Sequence, residues 1–231
     1  PYTTLFRSGG TLDSRGVHWS EILWQGYMQA CVPIDKETFR NAYVEGERAL
    51  ARERIILPQD NFLDLLRKKV ELEISFLPTM PTATTRATWI DQIASYCDNA
   101  ARSCIDEARP VLEKLHACYP MMLVSNFYGN IDEVLRGYGI RHLFKGIIES
   151  AVVGIRKPNP TLFRLGVDAL EMKPADVLVV GDSLRKDIEP AEQLGCHTLW
   201  LKGKGWTDDE DLQTHPNTIT SISQVLDHIK A

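Results

Sequence analysis

The apolar positions of this chain change their period part-way along it. From about Val17 to Ala108 they recur at three- and four-residue steps, the repeat of a helix with one buried face. VHWSEILWQGYMQA spaces Trp19, Leu23 and Tyr27 four apart, with Cys31 next on the same face. DKETFRNAYVEGERALARERI opens on a capping residue, Asp35, with Thr38 and Phe39 in its first turns. NFLDLLRKKVELEISFL carries Phe62, Leu65, Leu66 and Val70, and TTRATWIDQIASYCDNAARSCIDEA carries Trp89, Ile93 and Cys97. No stretch in this block reads as a strand. Stripes of this width predict a small helical bundle that buries its own core.

From Pro110 onward, short apolar runs alternate with helical stretches. Pro110 predicts the first turn of a helix, PVLEKLHACY. The strand-like runs are MMLVS, GIIESAVVG, DVLVVGDS and CHTLWLKG. Between and after them lie the helical stretches IDEVLRGYGI, NPTLFRLGVDALEM, RKDIEPAEQLG and SISQVLDHIK. Alternation at this spacing predicts an α/β fold: a doubly wound, Rossmann-like parallel sheet covered on both faces. Such sheets bind ligands beyond the carboxyl ends of their strands. Ser125 and Asn126 follow one run, Lys157 follows VVGIR, and Asp182 and Ser183 follow VLVVG.

Composition narrows the picture without naming a function. The 231 residues suffice for one large domain or two linked ones, and 44% hydrophobic with 25% charged residues is an ordinary globular balance. A net charge of −5 excludes a general nucleic-acid binder. No apolar run nears the roughly 18 residues a membrane span needs, and no basic-then-apolar secretory signal is visible. Five cysteines without a CxxC pair predict reduced thiols and a cytoplasmic location. Oligomeric state leaves no mark in the pattern.

Read in order, the chain gives GGTLD, LVSN, RKPNP and VVGDSLRKD. Taken singly, Ser125 suits a strand-end cap, Lys157 with Pro158 a helix entry, and Asp182 a helix cap. Their order and spacing together resemble the haloacid dehalogenase-like hydrolase superfamily, most of whose members are phosphatases. The resemblance implies a hydrolase core over residues 1–16 and 109–231, and an all-helical cap inserted over residues 17–108. It also implies a small phosphorylated substrate and a Mg2+ cofactor. The residue chemistry agrees with that implication. Ser125 and the backbone N–H of Asn126 suit phosphate oxygens, and Lys157 offsets the phosphate charge. Asp182 suits direct ligation of magnesium, and Asp187 suits orienting its waters or holding Lys157. Asp13 reads as a cap to the segment entering the helical block.

Counted back from GT, the family's nucleophilic aspartate falls on Arg7 and its second aspartate on Gly9. The Gly9 carbonyl could still bind metal, but a leaving group would need another proton source. A guanidinium at position 7 cannot form an aspartyl-phosphate and repels magnesium, so the chain as it stands is expected to be inactive. PYTTLFRS matches, residue for residue, one reading frame of a widely used short-read sequencing adapter. The expectation is that residues 1–8 are adapter-derived, that native sequence resumes at Gly9, and that the parent is truncated there. Two other readings stay open. One is a dehalogenase or phosphonatase of the same superfamily, against which GDSLRKD argues for metal, and Lys36, Lys68 and Lys69 single out no cap lysine. The other is a catalytically dead member used for binding or scaffolding.

Overall fold

The computed structural model describes residues 3–6 and 8–229. Arg7, on which the nucleophile position falls, lies outside the described residues. In chain order the elements are β1 (Thr3–Phe6), α1 (Trp19–Gln29), α2 (Lys36–Arg52), α3 (Phe62–Ser75), α4 (Ala83–His116), β2 (Met121–Ser125), α5 (Ile131–Gly137), β3 (Gly146–Glu149), α6 (Ser150–Val153), α7 (Thr161–Ala169), β4 (Val177–Gly181), α8 (Glu189–Gln193), β5 (His197–Leu201), α9 (Asp208–Leu212), β6 (Thr218–Ile219) and α10 (Val225–His228). The strands form one parallel sheet in the order β3-β2-β1-β4-β5-β6.

Alternation along the central strands sorts their side chains to two faces. Leu5, Met122, Val124, Val177 and Val179 pack with Leu162, Phe163 and Val167 of α7 on one face. Phe6, Met121, Leu123, Leu178 and Val180 face the other way. That second core is continuous with the buried side chains of α1 to α4, among them Leu23, Tyr27, Phe39, Leu65 and Val70. A sheet buried on both faces is why its strands read as unbroken apolar runs. The protein is therefore an α/β parallel-sheet core carrying a helical cap, and the cap is seated on the core through shared apolar packing.

The cap helices start where their sequences place caps. The Asp35 carboxylate accepts the Thr38 N–H at 2.8 Å, and Asn61 forms a reciprocal capping box with Asp64. A polar seam closes one side of the cap. His18 donates its N–H to the Lys204 carbonyl at 2.8 Å, and Arg40 donates to the Trp206 carbonyl at 2.9 Å. The Trp206 ring lies 5.2 Å from His18, 5.5 Å from Tyr43 and 5.0 Å from the Arg40 guanidinium.

Two sequence expectations need correction. Pro110 does not open a helix; it lies inside the 34-residue α4. A proline in a helix interior costs roughly 3 kcal/mol. Beyond it, Val111, Leu112 and Leu115 are buried on the stripe begun by Ile105 and Ala108. Each such residue contributes about 1.5–3 kcal/mol, so burial outweighs the proline. GIIESAVVG is a strand only to Glu149. There the Glu149 carboxylate accepts the Gly129 N–H and the Ser150 hydroxyl accepts the Phe127 N–H, while Val152 is 72% exposed in the short α6. The short β6 and α9 have no counterpart in the apolar pattern.

Candidate functional site

Parallel register aligns the ends of the three central strands. Phe6 lies beside Leu123 on one side and Val180 on the other. Ser125 with Asn126, Asp182 with Ser183, and the Gly9–Gly10 loop therefore leave the sheet side by side. Lys157 reaches the same place from beyond β3, past the exposed turn of α6, and is itself buried.

The centre of the site is a buried ion pair. Lys157 Nζ donates to Asp187 Oδ1 at 2.7 Å, and both side chains are 0% exposed. The same ammonium donates to the Val124 carbonyl at 3.2 Å, which ties it to the end of β2. Asp187 Oδ2 accepts the Ser183 N–H at 3.0 Å, so each Asp187 oxygen has a protein donor. Gly181 makes this possible, since a Cβ there would lie 2.4 Å from the Asp187 Cβ. Asn126 uses its side chain on Lys157 itself. Its Oδ1 accepts the Lys157 N–H at 2.9 Å and its Nδ2 donates to the Lys157 carbonyl at 3.1 Å. The sequence expectation for Asn126 concerned its N–H alone; the amide clamp on the Lys157 backbone was not foreseen.

Asp182 stands across from this pair. Its Oδ1 accepts the Thr11 hydroxyl at 2.8 Å, and Trp200 Nε1 donates to its backbone carbonyl at 2.9 Å. Gly10 has φ of +98°, and a Cβ there would lie 2.3–2.5 Å from the Asp182 carboxylate. Only glycine allows both the turn and the approach. Asp13 closes that turn, accepting the Gly10 N–H at 2.7 Å and Trp19 Nε1 at 3.1 Å.

Gly9 and Asp182 line one cavity, where a backbone carbonyl and a carboxylate would make a small, hard oxygen donor set. Magnesium is taken by such sets, with waters and a substrate phosphate completing its shell. The described residues hold no group of three or more His, Cys, Asp or Glu side chains that could cage an ion without substrate. On donor chemistry the site fits magnesium rather than a caged transition metal.

A cavity of about 160 Å³ opens over these residues, between core and cap. Gly9, Gly10, Asn126, Arg156, Asp182 and Lys186 form its core side. Its cap side carries Trp19, Tyr43, Phe62, Leu65 and Leu66, together with two charged groups, Glu47 and Lys69. Lys69 is buried against both Glu47 and Glu73, 3.3 Å from the latter, with its ammonium 4.6 Å from the Tyr43 ring centre. Tyr128 donates to Glu47 Oε1 at 2.9 Å, and Tyr27 donates to Glu73 Oε2 at 3.2 Å.

One lysine between two carboxylates drives them apart. Burial alone would raise Glu47, but the Lys69 charge and the hydrogen bonds from Lys69 and Tyr128 outweigh it and hold Glu47 below the usual carboxylate range. Burial raises Glu73 and prevails over Lys69, helped by repulsion from Glu47. Burial also raises the Tyr128 phenol, as does the Glu47 charge. This network was missed from sequence, where Lys69 is one cap lysine among several. Its signal was a lysine and a glutamate on the buried stripe of α3, among Leu65, Leu66, Val70 and Ile74.

A family model described as haloacid dehalogenase-like hydrolase matches residues 19–195. The glyceraldehyde 3-phosphate phosphatase of Methanocaldococcus jannaschii is 36% identical over 99 residues, which are 42% of this chain and 43% of that protein. The chain thus spans less than half the length of the curated relatives it matches. Among solved structures, YfnB of Bacillus subtilis bound to magnesium is similar with a TM-score of 0.62 at 17% identity, covering 98% of this chain and 97% of that one. A 2-haloacid dehalogenase from Pseudomonas syringae is similar with a TM-score of 0.51 at 18% identity, covering 98% and 96%. At these identities the structural likeness establishes the fold alone.

Proposed function

Because the chain belongs to the haloacid dehalogenase-like hydrolase family, we propose that its site was built for magnesium-dependent hydrolysis of small phosphate monoesters, and that Arg7 leaves the present chain without the nucleophile. The observation that carries this reading is the buried Lys157–Asp187 pair, hung on the Val124 carbonyl at the end of β2 from which Ser125 and Asn126 follow. Burying two charges contributes little net stability. A fixed ammonium at the open end of a parallel sheet is useful to a bound dianion.

In this reading the Ser125 hydroxyl and the Asn126 N–H hold phosphate oxygens, and Lys157 neutralises part of their charge. Asp187 keeps Lys157 ionised and aimed, and the Asn126 side chain fixes the backbone from which Lys157 projects. Asp182 and the Gly9 carbonyl would hold magnesium, which when bound would supply further charge neutralisation at the phosphate. The retained Asp182, in a loop that Gly10 must approach within carboxylate contact, favours a phosphoryl site over halide chemistry. An aspartate at position 7 would supply the covalent route. The matched M. jannaschii phosphatase supports the phosphomonoester class.

The test compares the chain as it stands with Arg7→Asp against a panel of phosphomonoesters, with and without magnesium. The expected result is no turnover for the first and magnesium-dependent turnover for the second. A folded Arg7→Asp protein that stays inert, or turnover that ignores magnesium, would overturn the proposal.

A further inference from the structure

We propose that Glu47 recognises a hydroxyl on the alcohol part of the substrate, so that the cavity takes hydroxylated alkyl phosphates of the polyol class; this rests on the phosphomonoester reading above. Glu47 projects from α2 into the wall of the cavity and keeps 35% of its side chain exposed, while its neighbours Lys69 and Glu73 are 6% and 0% exposed. Its Oε1 receives both Lys69 Nζ and the Tyr128 hydroxyl. Among the described residues, no hydrogen bond reaches its Oε2. A carboxylate fixed by two donors on one oxygen presents the other as a preorganised acceptor, and hydrogen bonds to an ionised acceptor are the strong ones.

The surroundings decide which donor fits. A carboxylate on the substrate would meet the Glu47 charge. An ammonium would enter a cavity whose charge balance is already met on the cap side, because Lys69 offsets Glu47 there. It would also meet Arg156 and Lys186, whose side chains have no hydrogen bond or ion pair among the described residues. Those two cations adjoin Lys157 and Asp187 in the chain and lie on the core side, and Arg156 is near enough to Glu47 to help keep it ionised. A neutral donor, a hydroxyl, satisfies Glu47 without opposing either group. Phe62, Leu65 and Leu66 then cover the carbon skeleton.

The chain as it stands is expected to leave esters intact, so substrates themselves can be titrated into it by calorimetry. Inorganic phosphate tests the phosphate site alone. Glycerol 1-phosphate, propyl phosphate, 3-aminopropyl phosphate and 2-carboxyethyl phosphate then test Glu47. The expected result is that glycerol 1-phosphate binds at least about tenfold tighter than propyl phosphate, with the amino and carboxyl esters weaker still. Glu47→Met should close that gap, with Lys69 kept paired by Glu73. Equal binding of the glycerol and propyl esters in the unmodified chain, or tightest binding of the amino or carboxyl ester, would overturn the assignment while leaving the phosphate site standing. Failure of inorganic phosphate and every ester to bind would remove both.

Discussion

The Lys157–Asp187 pair makes the sharpest prediction. Removing one partner strands a charge that the fold has buried completely: Lys157→Met leaves the Asp187 carboxylate at 0% exposure without the ammonium that offsets it at 2.7 Å. Breaking a buried pair in this way costs about 3–5 kcal/mol, because the remaining ion keeps its desolvation penalty and loses its compensation. A domain of ordinary stability has roughly 5–15 kcal/mol to lose, so either single variant should be visibly crippled. The double variant Lys157→Met, Asp187→Leu removes both ions and keeps the volume apolar. Its stability should return to within about 1 kcal/mol of the starting protein or exceed it. Urea unfolding followed by tryptophan fluorescence reads all four corners of the cycle, and phosphate titration is run beside it. The reasoning requires strong non-additivity in stability with phosphate binding lost in all three variants. Single variants costing under 1 kcal/mol, additive losses in the double variant, or a double variant that still binds phosphate would refute it.

Three further outcomes follow from the geometry. Gly10→Ala should lower stability by about 1–3 kcal/mol and abolish phosphate binding, read by the same titrations, because its Cβ would press on the Asp182 carboxylate at a positive φ. Glu47 is held below its ordinary pKa, so its ionised form contributes stability that is present above the unfolded carboxylate value, near 4.5, and is lost as pH falls through the lower folded value. Urea midpoints measured from pH 6 down to pH 3 should therefore fall less steeply in Glu47→Gln than in the parent. Arg40→Ala removes the bond to the Trp206 carbonyl and the cation over its ring. Amide exchange around residues 202–207 should rise without a matching rise in the β4 core.

Much of the site was legible because its chemistry is written at strand ends. Ser125, Asp182 and Asp187 sit within a few residues of the runs MMLVS and VLVVG, and strand register alone brings those ends together. Lys157 was legible for the same reason, one turn beyond β3. The Asn126 clamp was not, since an amide that binds backbone 31 positions away looks like any strand-end asparagine. Glu47, Lys69 and Tyr128 meet across 22 and 81 positions of sequence, through packing that no local period encodes. In the fold, α2 declared its start through Asp35. The end of β3 did not declare itself, because Val152 and Val153 look like strand residues until Glu149 and Ser150 turn the backbone away.

The unbroken course of α4 bears on how the cap can move. The cap joins the sheet by two connections, the turn from Gly10 to His18 and this helix, which at 34 residues is about 50 Å long. A pair of loops would let the cap swing freely, but a continuous helix acts as a leaf spring anchored at both ends. Its one weak rung is at Pro110, which has no N–H to return to the Asp106 carbonyl. A bend of α4 would cost least at that rung. At the other connection, Trp206 lies among His18, Arg40 and Tyr43 and pins the cap beside its entry turn.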